Sequence, residues 1–222
     1  GYGGFEVSML PGYSGTTGGA WVERGGVYVL ANIRGGGEFG PRWHQGAMKE
    51  KHQNAIDDFI AVAEDLIKRK ITTSERLGIA GGSNGGLLVG ACFTQRPELF
   101  KAVVCQVPLL DMKRYSHLLA GASWMAEYGN PDTDDWSYMQ KWSPYQNLDA
   151  GKTYPKVFFY TSTRDDRVHP GHARKMVMKM TEMNKPVYYY ENTEGGHSAG
   201  ANLNQSAYMW ALTYAYLWKM LG

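Results

Sequence analysis

Along the 222 residues, apolar positions follow two alternating patterns. Short runs rich in β-branched and aromatic residues at 27–33, 77–80, 102–107, 157–161 and 187–190 read as strands. Between them, Ile56, Phe59, Ile60, Ala63, Leu66 and Ile67 recur at steps of three and four, as do Ala173, Met176, Val177, Met180 and Met183. Each set marks one face of a helix. The stretch 207–221, rich in Trp, Tyr and Leu, predicts a last, largely buried helix. Strands alternating with helices form βαβ units, hence an α/β fold with a mostly parallel sheet and helices on both faces. The near-continuous runs "AVVCQV" and "KVFFYT" fit strands buried on both sides. Residues 111–150, rich in Trp, Tyr, Asp and Pro, predict an irregular excursion over the top of the sheet, a kind of segment that builds binding walls.

Composition narrows the classes. With 43% hydrophobic and 20% charged residues, the chain is globular and long enough to bury a core as one domain. A net charge of +2, with Lys68-Arg69-Lys70 as the longest basic run, argues against a nucleic-acid surface. No apolar stretch approaches the ~18 residues of a membrane span. Cys92 and Cys105, in apolar surroundings, predict buried thiols rather than a disulfide and leave the compartment open.

Chemistry concentrates in "LGIAGGSNGGLLVG", Leu77 to Gly90. Here a serine sits among glycines between a strand pattern and a helix pattern, and Gly81-Gly82-Ser83-Asn84-Gly85 fits the strained G-x-S-x-G elbow that exposes a nucleophile. The alternative is a glycine-rich turn with a solvated serine. An elbow serine needs an acid and then a histidine, each just past a later strand. The fourth strand pattern ends in Arg164-Asp165-Asp166-Arg167 and the fifth in Thr193-Glu194-Gly195-Gly196-His197-Ser198, so Asp165 and His197 fall in that order at carboxyl ends of strands. His44, His52 and His117 follow no strand and read as surface or packing residues. His169 and His172, near Asp165-Asp166, match no specific metal-ligand pattern. Gly35–Gly40 formally fits G-x-G-x-x-G, with Asp57 twenty residues past Gly37, but Pro41, Trp43 and His44 stand where a phosphate-binding helix should run. A turn is expected there, and no dinucleotide.

Together, "GYGGF", "ANIRGGGEFG", "GGSNGGLL", "ASWMAEYGNP", "DDRV" and "GGHSAG" resemble the catalytic domain of the prolyl oligopeptidase family, over essentially the whole chain. The resemblance implies an α/β-hydrolase fold, normally capped by a β-propeller that admits only short peptides. It implies a serine peptidase acting after proline through an acyl-enzyme, with no cofactor or metal. On it, Ser83 is the nucleophile, Asp165 the orienting acid and His197 the base. The backbone N–H of Asn84 and the hydroxyl of Tyr2 form the oxyanion hole. Trp124 stacks on the proline ring, Phe5, Val168 and Tyr128 are further walls, and Arg167 holds a substrate carbonyl. A flat indole suits a flat pyrrolidine, and a phenol can donate to an oxyanion. Each residue also has an ordinary reading: Trp124, Tyr128, Phe5 and Val168 as core, Arg167 as a salt-bridge partner, Tyr2 as a loose chain end. "GGSNGG" and Trp124 favour the proline-specific branch over the similar oligopeptidases B, which carry acidic residues for a basic side chain. Two other functions compete: a carboxylesterase or broader acyl hydrolase on the same triad, and a catalytically silent fragment or binding module.

The family's propeller and first strands lie outside these 222 residues. In the family the strand leading into "GYGGF" runs between the 27–33 and 77–80 strands, so these are expected about 10 Å apart, not ~4.8 Å. Strands from the rest of the enzyme are expected to fill that gap. The isolated chain is expected to be poorly soluble and feebly active.

Overall fold

The computed structural model describes residues 1–198 and 200–222. Strands β1 (Gly78–Gly82), β2 (Ala102–Gln106), β3 (Lys156–Ser162) and β4 (Val187–Asn192) form one parallel sheet in chain order. Ile79, Val103, Val157 and Val187 stand in register across it. Side chains alternate between faces with period two. Val103, Cys105, Val157 and Phe159 join one core, and Ala102, Val104, Phe158 and Tyr160 join another.

The first core lies under helices α1 (Gln53–Lys68) and α2 (Asn84–Gln95) and under α4 (Gly171–Glu182), while α3 (Met125–Tyr128) is a short turn of the 111–150 excursion. Residues 84–94 of α2 are all buried, as expected of a helix apolar all round and lying between sheet and α1. The second core lies under α5 (Leu203–Leu221), whose Tyr216 hydroxyl accepts from Val103 N–H at 2.9 Å and donates to Lys156 O. This last helix is less buried than its apolar composition predicts: Met209, Thr213, Tyr214 and Tyr216 are covered, but Leu203, Tyr208 and Trp210 are exposed. Only one of its faces meets the sheet.

The predicted strand at 27–33 is not a strand. It has no ladder partner among the described residues; Val27, Tyr28 and Val29 are exposed, and only Ala31 and Ile33 reach the core. A β-rich composition favours extended backbone, but a strand exists only where a neighbour takes its N–H and C=O groups. β1 is likewise an edge, met on its outer side by the Gly1 ammonium, which donates to Ala80 O at 3.3 Å.

Cys92 and Cys105 are buried free thiols whose pKa values burial pushes up. His52 and His172 are packing residues. His52 lies between Tyr128 and Trp142 and donates through Nδ1 to Ala47 O at 3.2 Å. His172 Nδ1 accepts the N–H groups of Leu110 and Asp111 at 3.3 and 3.1 Å. Burial lowers each pKa from 6.5 to about 4. Between those values the unfolded chain binds protons that the folded chain refuses, so stability is complete above pH 6.5 and is lost as pH falls towards 4. The loss should reach about 3 kcal/mol per histidine. Urea midpoints should therefore fall across this window, and less steeply in His52→Phe; midpoints flat over the window in the unmodified protein would contradict the assignment.

Candidate active site

The site grows from the β1–α2 turn. Ser83, between strand and helix, has φ 58° and ψ −117°, a conformation that costs an L-residue about 1–3 kcal/mol. Neighbouring glycines make the turn possible. A Cβ on Gly81 would lie 2.1 Å from Gly85 O, and one on Gly86 would lie 2.6 Å from Pro108 Cβ. The backbone of Ser83 is fixed on both sides: its N–H donates to Gln106 O at 2.9 Å and its O accepts from Leu87 N–H at 3.1 Å. Its hydroxyl does not cap the helix, and the residue lines a pocket of about 290 Å³. Asn84 opens α2, so its N–H is one of the donors with no acceptor within the helix, at the positive end of the helix dipole.

Asp165 follows β3 and His197 follows β4. One Asp165 carboxylate oxygen, Oδ1, accepts the N–H groups of Arg167 and Val168, both at 2.9 Å. The other, Oδ2, meets His197 Nδ1 at 2.8 Å. Nδ1 is therefore the protonated nitrogen, and Nε2 is left basic. The buried Ser162, at the end of β3, ties that end to the loop after β4: its hydroxyl donates to Gly195 O, with Asn192 O also within reach. Burial also removes Ser162 as a candidate nucleophile.

The pocket beside Ser83 gathers most of the expected binding residues. Tyr2, Phe5, Trp124 and Arg167 line it. Trp124 is half buried, packing against the core while lining the pocket, and Arg167 is exposed with no ion pair among the described residues. Tyr2 is not a loose end: its carbonyl accepts from Asn84 Nδ2 at 2.7 Å. Burial raises its hydroxyl pKa above 10, with Arg167 opposing and Glu127 adding to the shift, so the phenol is a donor at neutral pH.

One expected wall differs. Val168 is buried and does not line the pocket, and its N–H serves Asp165. Tyr128 lines the pocket as expected, although buried; its ring meets Phe5 edge-on at 5.5 Å and its hydroxyl donates to Asn84 Oδ1 at 2.6 Å. Residues passed over in the sequence also belong here, among them Val7 and Ser123 of the lining. Leu109 lines the pocket just beyond β2, where the carboxyl end of a strand was the available signal. Buried Glu127 accepts from Phe5 N–H at 2.8 Å through Oε1 and meets His44 Nε2 at 2.7 Å through Oε2. Nothing local in the sequence marks it.

An elbow serine after one strand, an acid after a later one and a histidine after the last, on a parallel sheet, is the arrangement of an α/β-hydrolase. Comparison with known proteins narrows the class. Residues 14–222 match the sequence model of the prolyl oligopeptidase family, and the chain belongs to that family. It is 55% identical over 221 residues to an uncharacterized peptidase of Sinorhizobium fredii, covering 99% of this chain and 30% of that protein. It is 40% identical over 209 residues to the prolyl endopeptidase of Elizabethkingia miricola, covering 92% of this chain and 30% of that enzyme. The solved structure of a post-proline cleaving enzyme from Rickettsia typhi superposes with a TM-score of 0.93 at 46% identity, over 100% of this chain and 33% of that one. The chain thus spans about a third of the length of these relatives.

Proposed function

We propose that this chain is the catalytic part of a serine peptidase that cleaves peptides on the carboxyl side of proline. The observation that carries the reading is the one pocket in which Ser83 stands beside the flat indole of Trp124 and the guanidinium of Arg167, which has no ion pair among the described residues. Ser83 attacks the prolyl carbonyl while His197 takes its proton at Nε2. Asp165 keeps the other ring nitrogen protonated and the imidazole aimed. The oxyanion accepts from Asn84 N–H and the Tyr2 hydroxyl. His197 then returns the proton to the leaving amine, and water releases the acyl group by the same steps in reverse. Trp124 recognises the pyrrolidine ring and Arg167 a backbone carbonyl of the peptide. The greater length of the relatives supports a further domain that restricts substrates to short peptides, with strands that complete the sheet beside β1.

The test is selectivity at the acyl-donating residue. Trp124→Ala should weaken kcat/KM for prolyl amides more than for alanyl amides, by about 0.5–1.5 kcal/mol beyond the lost burial. Arg167→Ala should weaken both alike, because its partner is backbone. Equal losses for both substrates in Trp124→Ala would return that residue to a structural role.

A further inference from the structure

Residues 2–5 carry two functional groups of the proposed site, the Tyr2 hydroxyl and the Phe5 ring, on a turn whose backbone is closed by Val7 N–H on Gly4 O at 3.1 Å and tied by Glu6 N–H to Gly35 O at 3.2 Å. Phe5 and Glu6 both adopt φ 56°, a left-handed backbone uncommon for side chains of this size. Two consecutive residues of α3 hold the two ends of this turn. At one end, the Tyr128 hydroxyl donates to Asn84 Oδ1 and Asn84 Nδ2 donates to Tyr2 O, a relay of 2.6 and 2.7 Å. At the other, Glu127 Oε1 accepts the Phe5 N–H at 2.8 Å. Both side chains are buried, and His44 occupies the remaining carboxylate oxygen of Glu127. Trp124 lies immediately before the same helical turn.

We infer that Tyr128 and Glu127 are positioning residues that hold the strained turn carrying Tyr2 and Phe5, so that the segment bearing Trp124 also sets the oxyanion donor. The inference rests on the proposed peptidase reading. It assigns Tyr128 a role beyond that of a pocket wall: a wall contributes its ring to substrate binding, whereas this hydroxyl contributes to the placement of another tyrosine. The difference is measurable because the ring and the hydroxyl can be separated.

Tyr128→Phe keeps the ring packed against Phe5, His52, Tyr115 and Trp142 and deletes only the hydroxyl. In the native full-length protein it should lower kcat about tenfold, as loss of one aligned donor permits, while KM stays within about twofold. The loss should be the same for prolyl and alanyl amides. It should also vanish in a Tyr2→Phe background, since a residue acting through the Tyr2 hydroxyl has nothing left to position. Glu127→Ala should lower kcat similarly, and Glu127→Gln, which keeps a carbonyl acceptor for Phe5 N–H, should restore most of it. A Tyr128→Phe loss confined to KM and to prolyl substrates would make Tyr128 a wall alone and overturn the inference, as would full additivity with Tyr2→Phe. If Tyr2→Phe alone leaves kcat unchanged, the oxyanion reading fails and the positioning role falls with it.

Discussion

Replacing Ser83 with alanine should abolish labelling by a fluorophosphonate and lower kcat by roughly five to six orders of magnitude. The size of the effect follows from the site's geometry. The hydroxyl is the only atom removed, the strained elbow already tolerates a Cβ, and the helix loses no cap, because the serine side chain caps nothing. Peptide mapping of the labelled protein should place the adduct on Ser83. Ser198 is the instructive rival, being exposed and adjacent to His197, whereas Ser162 is buried. An adduct on Ser198, or labelling that survives in Ser83→Ala, would remove Ser83 from the mechanism.

The second large effect belongs to Asp165. In Asp165→Asn, the amide oxygen can still accept the N–H groups of Arg167 and Val168, so the loop should keep its shape. The amide nitrogen then faces His197 Nδ1, where Oδ2 now sits at 2.8 Å. A donor facing Nδ1 forces the proton onto Nε2, the nitrogen that must accept from Ser83. The expected loss in kcat is about 10⁴-fold, with the urea midpoint little changed. His197→Ala should fall at least as far, whereas replacement of the exposed His117 should leave the rate intact. An Asp165→Asn enzyme close to full activity would show that the carboxylate shapes the loop without directing the base.

The strand run at 27–33 and the strands of the sheet illustrate how far local pattern reaches. By composition the five runs look alike, and four of them became β1–β4 within two residues of their predicted ends. Those four find neighbours on the sheet. The fifth has none among the described residues and remains an extended segment with three exposed apolar side chains. The last helix shows the same limit from the other side: its aromatic content announces a packed element, but only its meeting with β2 and β3 decides that Tyr216 is buried and Trp210 is not.

Some features of this protein are local, and the sequence by itself determined them. Glycines at 81, 85 and 86 leave a serine on a turn too tight for side chains at those positions, and apolar runs buried on both faces form parallel strands. The order Ser83, Asp165, His197 along the chain follows from which strand each residue ends. Only the tertiary structure decided the rest, because the rest depends on distance through space between residues far apart in the chain. Glu127 stands 122 positions from the Phe5 N–H it holds, and Asn84 stands 82 from the Tyr2 carbonyl. The same separation explains why Tyr128 reads in sequence as one more aromatic wall: whether its hydroxyl meets substrate or Asn84 is settled by what packs over it, and here Phe5 does.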